Sequence, residues 1–285
     1  MSHSRDKTQN HIKKLGVIGN PIKHSKSPLI HNYFIKSLGI NAEYKQYEIK
    51  KENDLKEFVS QVKDENWVGF NITIPYKQSI LNYLDEVDDT VSLIQACNTV
   101  VNKNGKLIGY NTDAEGFLYP IRNKSIKKAI VLGNGGASRA VLYQLCKVGI
   151  NEIYLVARSH EKSDQYITSL SSYFSCEIKR YNFQDLSTTM IYDSLIINST
   201  SVGMSSNDSS FEFLNNVNAT NIFYDLIYNP WKTKMMNKCE ENNAEVVNGA
   251  FMLAHQGALA FKLFFNKNVS TEKMYNLIYQ DFLND

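Results

Sequence analysis

The stretch Ala129-Ile-Val-Leu-Gly-Asn-Gly-Gly-Ala-Ser138 constrains this chain more than any other. Four apolar residues read as a buried strand, and Gly133, Gly135 and Gly136 form a turn whose backbone is unusually free. Apolar residues at helical spacing then run to Val148, and Gly149 closes that helix. Ile153-Tyr-Leu-Val follows as a second strand. Strand, glycine turn, helix and strand in this order call for a parallel sheet covered by helices. Glycines at such a turn let the backbone approach a pyrophosphate, which the helix N-terminus stabilises. A plain turn is the competing reading, but the flanking strands and helix favour a dinucleotide.

Further strands read at 176–181, 194–198, 222–226 and 244–248, so a Rossmann unit starts mid-chain, with a boundary near 114–126. After the second strand of such a unit, NAD enzymes carry an acid for the ribose hydroxyls. Here Leu155-Val-Ala is followed by Arg158, with Lys162 one turn on, and the first carboxylate is Glu161. A guanidinium at that place suits a 2′-phosphate and therefore NADP(H). Alternatively, Arg158 is a solvated strand end.

The preceding residues alternate in the same α/β manner. Strands read at Leu15-Gly-Val-Ile, 43–49 and Val68 to Ile74, with helices near 27–38, 52–63, 76–84 and 88–96. Thr99-Val-Val-Asn and Leu107-Ile-Gly-Tyr flank Asn104-Gly105, which predicts a type I′ hairpin whose paired residues sum to 209. Asn98 then lies opposite Asn111, with Asp113 just beyond. The last helices, near 250–265 and 271–283, follow a complete Rossmann sheet and are expected to return to the first domain. The expected division is a substrate and catalytic domain of 12–114 plus 250–285, a nucleotide domain of 115–249, and a site in the cleft between them.

Composition excludes several classes. Lys plus Arg is 31 and Asp plus Glu is 29, which gives no electrostatic case for nucleic acid or a membrane surface. No apolar run reaches the ~20 residues of a membrane span. Cys97, Cys146, Cys176 and Cys239 have no metal-site spacing and read as buried, reduced thiols of a cytoplasmic protein; no metal site is expected. The first dozen residues, up to the lysines before Leu15, read as a disordered or tag-like extension, and the polar run Ser205 to Ser210 as a mobile loop.

Candidate site residues lie at the ends of these elements. In Phe70-Asn-Ile-Thr-Ile-Pro-Tyr-Lys77, period two turns Phe70, Ile72 and Ile74 to a core and Asn71 and Thr73 away from it. Lys77 enters the next helix, where a cation opposes the macrodipole. It is either a surface lysine or one aimed at a carbonyl oxygen, able to donate to an alkoxide. Asp113 is placed to hold it charged, although Asn and Asp also favour turns. Ser27 reads as a helix cap before Pro28, and Ser25, with no such duty, is free for a polar ligand. Gln256 is a polar residue on an apolar helical stripe shared with Gly249 and Met252. His24 and His31 belong to no triad or ligand pair.

Eight segments, GNPIKHSKSPLIHN, GFNITIPYK, ACNTVV, GYNTDAEGF, LGNGGASRA, NSTSVGM, DLIYNPWKT and GAFMLAHQGALAF, together resemble the shikimate dehydrogenase family across Gly16 to Phe261. The resemblance implies a two-domain α/β enzyme, an N-terminal α/β substrate domain and a C-terminal Rossmann NADP-binding domain, reducing 3-dehydroshikimate to shikimate with NADPH on the way to aromatic amino acids. It implies Lys77 and Asp113 as the catalytic pair. Ser25, Ser27, Asn71, Thr73, Asn98, Asp113, Tyr228 and Gln256 would hold the substrate. Gly133, Asn134, Gly135, Gly136, Ala137, Arg158, Ser159, Lys162, Thr200, Gly249 and Met252 would line the cofactor. Asn134 stands where the family usually has alanine, and Ala157 where it has asparagine, which weakens one contact to the adenosine phosphate. The expected partner is the small-molecule substrate, for a monomer or homodimer. Rival readings are an NAD-using quinate/shikimate dehydrogenase, a non-catalytic NADP-sensing regulator, and a methylene-folate-type dehydrogenase. The polar hydroxyl and amide groups argue against the last, which needs a flat pterin slot.

Overall fold

The computed structural model describes residues 11–64, 66–159, 161, 164–186, 191–205 and 212–284. The first sheet holds β1 (Lys13–Gly19), β2 (Ala42–Glu48), β3 (Trp67–Ile72), β4 (Glu86–Val87), β5 (Thr99–Lys103) and β6 (Lys106–Tyr110), in the order β2-β1-β3-β5-β6-β4. The helices along it are α1 (Ser27–Ser37), α2 (Glu52–Asp64) and α3 (Asp89–Ile94), with α4 (Asp113–Leu118) leading away. The first three strands are parallel, because helices connect them, while β5 runs antiparallel to both β3 and β6. Asn104 and Gly105 both take positive φ, 57° and 87°, and the ladder pairs Lys103 with Lys106 and Thr99 with Tyr110, so the type I′ hairpin has the expected register.

The second sheet holds β7 (Lys128–Leu132), β8 (Glu152–Val156), β9 (Glu177–Tyr181), β10 (Leu195–Asn198), β11 (Ile222–Asp225) and β12 (Glu245–Asn248), in the order β12-β11-β10-β7-β8-β9. Every pairing is parallel, and the order reverses between β7 and β10, where Rossmann sheets open a ligand crevice. Helices α5 (Gly136–Lys147), α6 (Asp164–Phe174) and α7 (Lys234–Glu241) cover it. The chain then returns. Along α8 (Ala250–Phe265), Ala250, Ala254, Phe261 and Phe264 pack into one core with Leu15, Val17 and Val101 of the first sheet and Ile30 of α1. The last helix, α9 (Thr271–Asn284), adds Met274 and Ile278 to that core.

Several sequence expectations need correction. The first β-strand begins at Lys13, so residues read as an extension are already in the ladder; the rest of that reading falls on 1–10, outside the described residues. β3 ends at Ile72, and Ile74, expected in the core, is 54% exposed because the chain has turned before Pro75. The helix expected at 76–84 is a turn followed by a 3-10 helix, Ser79–Tyr83. Most of the polar loop after Ser205 lies outside the described residues.

The cysteine reading also changes. Cys146 in α5 and Cys176 before β9 are joined as a disulfide, Cα atoms 5.7 Å apart, because α6 folds back along α5. Cys97 and Cys239 are free and buried. In denaturant without reductant, two thiols are expected to react with maleimide, and four after reduction; mass spectrometry counts them. Four before reduction would exclude the bond.

His31 sits inside the first domain at 1% exposure. Its ring stacks on Tyr44, centroids 4.4 Å apart and planes 3° from parallel, with Phe261 and Phe264 around it. Neither ring nitrogen has a hydrogen-bond partner. Burial pushes its pKa down to about 3, so the ring is neutral. Among the described residues, no helix is long and apolar enough to cross a membrane, and no group of His, Cys, Asp or Glu could hold a metal ion.

Candidate active site

Lys77 and Asp113 meet across the first domain. Their Nζ and Oδ2 atoms are 2.6 Å apart, with side chains only 14% and 6% exposed. In a pair this sheltered, removing either member leaves an uncompensated charge away from water, which costs more than breaking a surface ion pair. Lys77 comes from the turn after β3, not from a helix, so the macrodipole expected to oppose it is not its own. Asp113 is the first residue of α4, where the backbone amides favour a carboxylate. Asn111 makes that start: its side-chain oxygen accepts from the Asp113 and Ala114 amides at 3.0 and 3.3 Å. Asn111 thus does the turn chemistry, while its neighbour carries the charge.

Asn98 aims the pair. Its amide donates to Asp113 Oδ1 at 2.9 Å and to Thr112 Oγ1 at 2.9 Å, and lies 3.3 Å from Gln256 Oε1. Its oxygen accepts from the Thr112 amide at 2.8 Å, so the buried side chain is satisfied at both ends. The polar run continues to Asn71, whose amide donates to Thr99 Oγ1 at 2.9 Å and whose oxygen accepts from the Tyr44 hydroxyl at 2.7 Å. Tyr44 is also hydrogen-bonded to the Ser27 side chain. Ser27, Asn71, Asn98, Gln256, Asp113 and Lys77 are therefore one network, buried except where Lys77 is partly exposed.

Ser27 is not the cap. It is the first residue of α1, Lys26 holds the cap position without a side-chain bond, and Pro28 occupies the first turn. Ser25 does have a structural contact: its hydroxyl accepts from the Ser27 amide at 3.4 Å. It also meets the Tyr228 hydroxyl, whose pKa is raised by burial. Thr73 lies just past β3, and its methyl occupies the space a side chain at Gly19 would need. Tyr44, Thr99 and Thr112 were missed from sequence. Thr112 was within reach, beside Asp113 at the hairpin end. Tyr44 depends on parallel pairing of β2, β1 and β3, which local pattern does not reveal.

The glycine turn closes over this group from the second domain. Gly133 has φ of 98°, a conformation that only glycine takes without cost. A Cβ on Gly136 would come within 3.0 Å of Lys77 Cβ, so the aliphatic stem of Lys77 lies directly on the first residue of α5. A Cβ on Gly135 would meet nothing within 4 Å, and no side chain caps α5. That bare helix start, with open space before it, fits a pyrophosphate. Ala137 follows in the first turn. Asn134 does not take a left-handed conformation, as its residue type allows. Its amide instead donates to the Ser159 carbonyl at 2.5 Å, tying the turn to the segment after β8. Arg158 and Ser159 are exposed there, and Lys162 falls outside the described residues. Thr200 packs its methyl on Gly133, Gly249 is held tight against Leu226, and Met252 is 7% exposed in the core beneath.

Two family models match: the shikimate dehydrogenase substrate binding domain over residues 17–100, and the shikimate 5′-dehydrogenase C-terminal domain over 251–279. The NADP(+) shikimate dehydrogenase of Caldicellulosiruptor bescii is 41% identical, covering 90% of each chain. The chain belongs to the shikimate dehydrogenase family. A second relative of the same name, from Caldicellulosiruptor saccharolyticus, is 42% identical over 90% of this chain and 93% of that one. A crystal structure of a shikimate dehydrogenase in complex with NADP+ superposes with a TM-score of 0.86, at 34% identity, covering 95% of this chain and 96% of that one. The two-sheet architecture found here is thus that of shikimate dehydrogenases.

Proposed function

We propose that this chain is an NADP-dependent shikimate dehydrogenase, reducing 3-dehydroshikimate to shikimate on the route to aromatic amino acids. The observation that carries the reading is the sheltered Lys77–Asp113 pair lying against the glycine turn. Residues 12–114 with 250–285 form the substrate domain and 115–249 the nucleotide domain. Gly133, Asn134, Gly135, Gly136 and Ala137 receive the pyrophosphate. Arg158, Ser159 and Lys162 receive the adenosine phosphate, and Thr200, Gly249 and Met252 line the rest. NADPH, when bound, supplies the hydride. Ser25, Ser27, Asn71, Thr73, Asn98, Tyr228 and Gln256 hold the substrate carboxylate and hydroxyls.

Lys77 donates a hydrogen bond to the ketone oxygen, stabilises the negative charge that grows there, and gives it a proton. Asp113 keeps that ammonium charged and aimed, and Asn98 keeps Asp113 from rotating away. A regulator that only senses the cofactor has no need of this pair. The same reading implies a cytoplasmic enzyme acting as a monomer or homodimer.

The test is absorbance at the nicotinamide band with shikimate or quinate, each with NADP+ or NAD+. Turnover with shikimate and NADP+, and little with quinate or NAD+, is expected; no turnover in protein that binds NADPH would favour the regulator. In the same assay, Arg158→Leu should raise KM for NADP+ about 10- to 100-fold, the worth of a charge-assisted hydrogen bond, and leave that for NAD+ nearly unchanged. Equal effects on both would remove Arg158 from the phosphate.

A further inference from the structure

Asp225 is a fully buried carboxylate at the end of β11, opposite Asn198 at the end of β10. Three neutral groups donate to it. Asn198 Nδ2 and the Ile227 amide reach Oδ1 at 2.9 and 3.1 Å, and Thr233 Oγ1 reaches Oδ2 at 2.7 Å. Burying a carboxylate with only neutral partners is costly, and burial raises its pKa to about 6. An asparagine would be cheaper but has one acceptor oxygen, where this place uses two.

The donors lead in two directions. Asn198 Oδ1 accepts from both the amide and the hydroxyl of Thr200, at 3.1 and 2.7 Å, and Thr200 packs its methyl against Gly133 of the glycine turn. Ile227 and Thr233 bracket the loop that carries Tyr228. The Ile227 carbonyl accepts from the Gly249 amide at 3.3 Å, and the Leu226 carbonyl leaves no room for a side chain on Gly249. That loop is therefore fixed from two sides.

We propose that Asp225 is a positioning residue that yokes the loop against the glycine turn to the loop bearing Tyr228, so that filling the nucleotide site strengthens binding at the substrate site and the reverse. Linkage makes such an effect reciprocal. The proposal rests on the assignment of the glycine turn to nucleotide and of Tyr228 to substrate.

The experiment is calorimetry with one ligand at a time. Adenosine 2′,5′-bisphosphate is the nucleotide probe, because it lacks the nicotinamide half of the dinucleotide. Shikimate is the other probe. Thr233→Val removes one donor to Asp225 on the tyrosine side. It should weaken adenosine 2′,5′-bisphosphate about five-fold or more, and shikimate similarly. Thr233→Ser, which keeps the hydroxyl, should restore both. Adenosine 2′,5′-bisphosphate affinity within two-fold of wild type in Thr233→Val would overturn the yoke. Should that variant not fold, hydrogen exchange on the wild-type protein decides. Adenosine 2′,5′-bisphosphate alone should slow exchange at Ile227 and Tyr228, and no change there overturns the proposal. A wild-type protein that binds neither probe overturns the functional assignment, and the yoke with it.

Discussion

Lys77→Ala is expected to lower kcat by about two to four orders of magnitude, the usual worth of a positioned proton donor. Shikimate affinity measured by calorimetry should change little, because the lysine's interaction strengthens only as charge develops on the oxygen. The Lys77 stem is confined between its own turn and Gly136, its ammonium is 2.6 Å from Asp113, and Asn98 prevents that carboxylate from swinging. Removing the lysine leaves a nearly buried carboxylate without its cation, so a loss of stability is also expected. Adding Asp113→Asn should recover stability but not turnover. A Lys77→Ala enzyme with wild-type kcat would remove Lys77 from the chemistry, and a lost shikimate affinity with intact kcat would make it a binding group only.

The second large effect is on stability against pH. His31 has a folded pKa of about 3, well below the ordinary histidine value of 6.5. Between those values the unfolded chain holds a proton on this ring and the folded chain largely does not, so the unfolded state binds up to one proton more and stability falls as pH falls. The slope approaches about 1.4 kcal/mol per pH unit once the unfolded ring is fully protonated, and the change integrates to roughly 2 kcal/mol between pH 6.5 and 4.5. Asp225 works the other way. Its folded pKa of about 6 lies above the ordinary aspartate value of 3.8, so it adds stability as pH falls between the two and hides part of the His31 effect. The comparison should therefore be wild type against His31→Phe, a variant that retains Asp225. Urea unfolding at each pH gives the difference. His31→Phe should gain on wild type by about 2 kcal/mol from pH 6.5 to 4.5, whatever its own packing cost. A difference independent of pH would mean that the ring is protonated, or paired, in the folded state.

Local signals carried far in this chain. The glycine turn, the hairpin register and the helix over 250–265 follow from residue type and period, since each depends on neighbours within one element. The hairpin sum of 209 alone was enough to bring Asn98 to Asp113. What escaped depends on contacts between distant segments. The contact of Lys77 with Gly136 joins the two domains, and Tyr44 reaches Asn71 across β1. The Cys146–Cys176 bond needs α6 to lie along α5. Ser27 and Ile74 were misread for a smaller reason. Each adjoins a proline, and a proline fixes where an element stops or starts less sharply than it fixes its own φ. The amide of Asn134 reaching Ser159 is a contact between segments 25 residues apart, which residue type alone does not reveal.

The return of α8 to the first sheet has a consequence in time. Leu15, Val17, Ile30, Phe34 and Val101 are made early, but Ala254, Phe261 and Phe264, which complete their core, follow the whole second sheet, about 140 residues after β6. At ~5–20 residues per second, a ribosome leaves that apolar face uncovered for roughly 10 to 30 s. Throughout that interval the nascent first domain can aggregate or be held by a chaperone, while the nucleotide-binding sheet, contiguous in sequence, can fold as it emerges.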